Sequence, residues 1–272
     1  MMQSVAAPSR LSVGLVSLTV LTLLAGATAR AAEPAETPDE LEPPEVHTPD
    51  RSVASGGFLP WTMAARSDAQ RALVFGQGGY DGAWRGAVFQ TTLEAQVLGR
   101  LSVRAGGSYI GPSGTFRPEA GLRIDALRQE RHGVDMAVLG VYESAGFNTV
   151  KAVTARVALS RAFGKTRLVS NIGYGYGFND GERYGDVRVA GLRAVGRSVH
   201  IGLDSRMRFD LEYDNDEPPG EPEWEAVAGP IATYSFDRFV LTGTAGMSAM
   251  KQRLIPTKHY GAIATLGFGT VF

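Results

Sequence analysis

The sequence predicts an all-β chain of antiparallel strands, on three observations. From Tyr260 to Phe272 the side chains alternate without a break. Tyr260, Ala262, Ala264, Leu266, Phe268, Thr270 and Phe272 share one face, while Gly261, Ile263, Thr265, Gly267, Gly269 and Val271 share the other. Successive residues of an extended segment point to opposite faces, so a period of two means strand. Segments of the same kind recur from about Arg71 onward. The chain also has 34 Gly, 12 Phe and 9 Tyr interleaved with β-branched residues, a composition that favours strands.

The N-terminus reads as an export signal. Arg10 is the sole charge ahead of the apolar run Leu11–Leu24, and Ala27-Thr28-Ala29 or Ala29-Arg30-Ala31 offers a cleavage site. This is the layout of a secretory signal peptide over residues 1–31, too short for a membrane helix. No twin arginines precede the run, which implies export in the unfolded state. The chain has no Cys, which rules out a lipid-modified cysteine and a disulfide framework. Residues 32–70 form an acidic, proline-rich lead segment expected to be largely disordered, with Phe58 to Arg71 open to a short helix or a plug. A periplasmic partner for this segment is the alternative to a solvated linker. The remainder, 71–272, is one domain. A formal net charge of -1 argues against nucleic acid as a partner.

Twelve alternating segments follow, each near the nine to eleven residues that cross an outer membrane. They fall near 71–80, 84–98, 100–111, 114–127, 134–143, 150–163, 167–178, 186–194, 198–213, 223–234, 238–250 and 259–272. Ten strands are possible if the first pair is misread. Tight turns at 98–100, 163–166, 194–197 and 235–237 alternate with longer polar ones at 179–185, 214–222 and 251–258. With Phe272 on the periplasmic side, all these tight turns fall in the periplasm, as in membrane barrels. Gly111 to Gly114 is short for an outer loop, and Gln129 to Gly133 long for an inner turn.

Aromatic residues sort by depth under the same orientation. Tyr80, Trp84, Tyr109, Phe116, Tyr142, Phe147, Tyr176, Phe178, Tyr213, Trp224 and Tyr260 fall at outer strand ends. Phe163, Tyr234, Phe239 and Phe272 fall at inner ends. Two such belts are what rings at two headgroup levels produce. A terminal alternating strand closing on Phe272 resembles the last strand of bacterial outer-membrane β-barrels. The resemblance is architectural, and no narrower family matches. It implies a transmembrane antiparallel up-and-down β-barrel of about twelve strands in the bacterial outer membrane. It also implies outer-membrane lipid as surroundings and recognition of the C-terminal strand by the barrel-insertion machinery.

Segment 198–213 identifies the inner face. Val199, Ile201, Leu203, Met207, Phe209 and Leu211 lie on one side; His200, Asp204, Arg206, Arg208, Asp210 and Glu212 lie on the other. A charge facing lipid at the midplane costs about 2–4 kcal/mol, so the charged side must look inward. Glu94, Arg104, Arg117, Glu119, Arg123, Asp125, Asp135 and Arg156 join it from other strands. Acids and bases are similar in number, which gives no ion preference. The charges either pair and fill a closed structural barrel or line a narrow aqueous path. Twelve strands enclose more space than eight, whose side chains can fill the interior, and this favours a small channel. Gly173, Gly175 and Gly177 are expected inward, with Tyr174, Tyr176 and Phe178 outward. No helix follows to make this run a phosphate loop.

Enzyme motifs are missing. Outer-membrane phospholipases carry Asn-x-His, but the residues two before His47, His132, His200 and His259 are Glu45, Glu130, Ser198 and Thr257. His200 and Asp204 share a face but stand about 13 Å apart at the strand rise, beyond hydrogen-bond reach. A protease-like rim group of Asp210, Asp214, Asp216 and His259 is a minor alternative. Asp214 to Glu223 lacks the glycine-hinged spacing of a calcium loop. No metal and no cofactor is expected. The sequence therefore predicts a non-enzymatic barrel, a narrow channel for small polar solutes. A closed structural barrel with a periplasmic interaction segment is the alternative, and a lipase or protease a third class.

Overall fold

The computed structural model describes residue 62 and residues 72–111, 115–144, 151–178, 181–211 and 222–272. The chain divides into two units, Met1–Asp50 and Arg51–Phe272, and every described residue belongs to the second. The signal peptide, the lead segment apart from Thr62, Phe147, Glu212, Tyr213 and the acidic loop 214–221 lie outside the described residues.

Twelve strands succeed one another. They are β1 (Ala72–Asp81), β2 (Gly86–Leu98), β3 (Leu101–Ile110), β4 (Thr115–Leu127), β5 (Asp135–Glu143) and β6 (Ala152–Phe163). Then come β7 (Thr166–Gly177), β8 (Arg183–Ala194), β9 (Val199–Asp210), β10 (Pro222–Phe236), β11 (Phe239–Gln252) and β12 (Lys258–Val271). Each strand pairs antiparallel with its sequence neighbours, and β12 returns to β1, so the sheet closes as a twelve-strand barrel. At the seam Phe272 N–H donates to the Ala72 carbonyl at 2.9 Å, and Ala72 N–H donates back at 3.3 Å. Closure leaves no open edge, the condition for a sheet to sit in lipid.

Two connections differ from the sequence reading for local reasons. The turn that looked long for its side holds one helical turn, α1 (Gln129–His132), which ends on Gly133 at φ 74°. Gln129 N–H donates to the Asp135 carboxylate at 2.8 Å, and its side-chain amide bonds both backbone groups of Ala162. The turn is thereby tied to β6 without needing length. Strand β8 starts at Arg183, inside a stretch whose Asn179, Asp180 and Gly181 read as loop. Tyr184 belongs to the strand because its ring has a seat: a Cβ on Gly175 would fall 2.1 Å from that ring.

Between β10 and β11 the ladder is interrupted at Gly229 and Pro230. Proline brings no N–H to the ladder. A Cβ on Gly229 or on Gly246 would meet a facing carbonyl at 2.2 Å, so the two backbones approach through glycine there.

The two faces of the wall are of opposite character. Leu203 is 66% exposed and its neighbour Asp204 1%; β9 alternates in this way through Met207. Leu93, Leu122, Ile172, Met247 and Leu266 are likewise exposed. So large an apolar exterior is a lipid-facing surface. Rings mark both ends of it. Tyr80, Phe116, Tyr142, Tyr176, Phe178 and Tyr260 are exposed toward the long-loop end. At the tight-turn end Tyr234, Phe236, Phe239 and Phe268 stack in series, with centroids 5.8, 5.4 and 5.6 Å apart. Trp84 departs from the girdle and turns inward. Asp81 accepts N–H bonds from Ala83 and Trp84 at 2.9 and 3.3 Å, folding the β1–β2 turn over the lumen.

Candidate functional site

Strand register builds the interior in rows. One row runs across β6 to β10 through Arg156, Gly173, Asp186, Arg208 and Glu225. Gly173 has no side chain, so Arg156 reaches across it to Asp186 at 2.8 Å. A Cβ on Gly173 would lie 3.3 Å from Asp186 and 3.5 Å from Arg156. The inward glycines thus leave room for an ion pair at Gly173 and for the Tyr184 ring at Gly175. Arg188 also holds Asp186, its Nε at 2.8 Å. Glu225 accepts from Arg206 at 2.9 Å, from Arg208 Nε at 2.6 Å and from the Trp84 indole at 3.3 Å. Each of these two carboxylates is therefore shared by two guanidiniums.

The arginines of these clusters and Trp84 border a cavity of about 120 Å³ in the long-loop half of the lumen, walled by strands β1–β6, β8, β9 and β12. Arg104, Arg117, Arg156, Arg188, Arg206 and Arg208 line it, against Asp81, Glu119 and Glu143. Arg117 on β4 and Arg208 on β9 stand nearly opposite in the ring and repel one another. Above the cavity Arg253, in the β11–β12 loop and 1% exposed, pairs with Glu182 at 2.8 Å and with Asp210.

The tight-turn half is packed. Arg123 holds Asp125 at 2.9 Å and Glu94 at 3.4 Å, all three buried. Apolar groups fill much of the rest: Ala137 and Leu139 with Ala158, a cluster that Val141 extends to the cavity, then Val169, Ala190, Leu192 and Ile231, then Leu73, Phe75 and Val240. Thr62 lies here as well, 3% exposed, its hydroxyl donating to Asp204 and, at 3.5 Å, to the Ser205 carbonyl.

The expected lumen residues divide accordingly. Arg104 and Glu119 pair at 3.6 Å; with Arg117, Arg156, Arg206 and Arg208 they gather at the cavity. Glu94, Arg123 and Asp125 form the separate buried cluster. Asp204 meets Thr62, Asp210 meets Arg253, and His200 is buried. Asp135 serves the α1 turn. Glu212 lies outside the described residues. Sequence reasoning missed Asp186, Arg188 and Glu225, whose alternation on β8 and β10 was available but whose partners needed register. It missed Trp84 and Arg253 because turns carry no periodicity. Tyr184, which contacts Thr154 at 2.7 Å and Glu143 at 3.3 Å, was hidden in an apparent loop. Between Asp135 and Glu143 the lumen-facing side of β5 is apolar, with Ala137, Leu139 and Val141, which the charged pattern of β9 did not foretell.

A closed, twelve-stranded antiparallel barrel with an apolar exterior and an ionic interior has the fold of bacterial outer-membrane β-barrels. Among solved structures the fold is similar to a NanC porin, with TM-score 0.50 and 10% sequence identity over 73% of this chain and 98% of that one. An outer-membrane channel from Pseudomonas putida F1 gives 0.49 and 12% over 86% and 100%. A KdgM porin gives 0.46 and 7% over 74% and 99%. At these identities the likeness is one of fold. No protein-family model and no curated protein matches the sequence.

Proposed function

We propose that this barrel is a narrow, non-enzymatic channel for small polar solutes, with the long-loop half of its lumen as the entry chamber. The observation that carries the reading is the charged cavity of about 120 Å³ inside the barrel wall. Charged groups lining an enclosed aqueous space set what enters it. The reading includes the insertion machinery as the partner of the terminal strand and a periplasmic partner for residues 32–70.

A closed barrel is favoured by a different observation, the packed tight-turn half with Thr62 held against Asp204. Planar-bilayer recording separates the two. Discrete current steps from purified protein support the channel. A protein that inserts, migrates differently on gels after boiling, and passes no current belongs to the closed reading.

A further inference from the structure

We infer that the long-loop half of the lumen is a binding subsite for a small oxyanion, a carboxylate or phosphate group carried by the solute. This deepens the channel reading and rests on it for access to the cavity. Six arginines line the space. Of the carboxylates at its edge, Glu119 stands 3.6 Å from Arg104 with its Oε1 accepting no hydrogen bond, and the others are engaged by the wall. Asp81 accepts from Ser248 at 2.6 Å and from two backbone N–H groups. Glu143 accepts from Thr154 at 3.1 Å and Tyr184 at 3.3 Å. Asp186 and Glu225 are buried behind the arginines they hold. Counting both, six guanidiniums still face five carboxylates.

The arrangement of the bases points the same way. Arg188 and Arg206 are directly opposed across β8 and β9, a like-charge pairing that is unfavourable in a sheet. Arg206 Nε and Arg156 Nε are buried with no acceptor. Arg117 makes no ion pair or hydrogen bond among the described residues; Arg208 repels it, and Glu225 and Glu143 attract it only at longer range. One oxyanion between these walls would accept from several donors at once and relieve both repulsions. Guanidinium forks suit planar carboxylate and phosphate oxygens. Gln90 and Ser108 on the adjoining wall offer hydrogen bonds to hydroxyls on the rest of the solute.

The test uses the full chain in planar bilayers with a KCl gradient, followed by additions of inorganic phosphate, acetate or glycerol. The expected reversal potential has the sign of an anion-preferring pore, with a permeability ratio of about 3 or more. Phosphate or acetate should reduce the single-channel current at concentrations where glycerol does not. Which of them acts identifies the oxyanion. Arg117→Gln, which leaves no carboxylate without its partner, should weaken that block about threefold or more. A reversal potential at zero or of cation sign overturns the inference, as does block by the anions no stronger than by glycerol. A barrel that passes no current fails the channel reading instead. Phosphate and acetate binding to the detergent-solubilised protein, by calorimetry, then decides the subsite: weakening in Arg117→Gln supports it, and no binding of either removes it.

Discussion

Replacing Asp186 with asparagine tests whether the ionic row holds the barrel wall together. The carboxylate is 1% exposed and accepts from Arg156 at 2.8 Å and from Arg188 Nε at 2.8 Å. Asparagine keeps the shape and removes the charge, so neither a void nor a clash enters the comparison. What remains is two guanidiniums with their shared counter-charge gone. Breaking a buried ion pair from one side costs about 3–5 kcal/mol. The Arg188 side chain is 14% exposed and borders the cavity, which allows water to soften the loss toward the lower figure, about 3 kcal/mol. The assay is equilibrium unfolding in guanidinium chloride from lipid vesicles, followed by tryptophan fluorescence and by gel migration before and after boiling. An Arg156→Met companion should be destabilised as well. The double variant should fall short of the sum of the two by at least about 1 kcal/mol, because the residues are in contact. A loss below about 1 kcal/mol for Asp186→Asn, the range of exposed pairs, would refute the idea that this row is desolvated.

Two further outcomes are expected. Gly175→Val should destabilise the barrel by about 1–3 kcal/mol or more, since its Cβ would fall 2.1 Å from the Tyr184 ring, whereas Gly140→Ala, with nothing within 4 Å, should be close to neutral; equal effects in the same unfolding assay would contradict the packing. Thr62→Cys should react with an aqueous maleimide about tenfold or more slowly in the folded barrel than in the unfolded chain, and adding Asp204→Ala should speed the folded reaction; rapid labelling of the single variant would mean that residue 62 is not held in the lumen.

The architecture was legible because a barrel repeats one rule. Alternation gave the twelve strands to within about three residues at their ends. It also separated Leu203 from Asp204, and Tyr176 from Gly175 and Gly177. What alternation cannot supply is which residues share a row, because register depends on every turn between them. Arg156 and Asp186 are 30 residues apart in sequence and meet across a glycine, a contact that no local pattern announces. The interior was also read as more uniform than it is. Face assignment says which residues point inward, but depth decides whether they meet a cavity or a packed plug of Leu139, Val169 and Ile231. Charges of both signs are present in the lumen, yet they sort by depth. The surplus of arginine at the cavity is therefore invisible in the balance of the whole chain.

In a chain without cysteine, Leu203→Cys and Arg206→Cys put one probe on each face of β9. With an environment-sensitive fluorophore attached and the protein in vesicles, the Leu203 label should be quenched by nitroxides on lipid tails and ignore aqueous iodide. The Arg206 label should respond to iodide and ignore the tails. Reversal of the two, or quenching of both by iodide alone, would mean that the apolar surface does not face a bilayer and that the arginines do not line an enclosed interior.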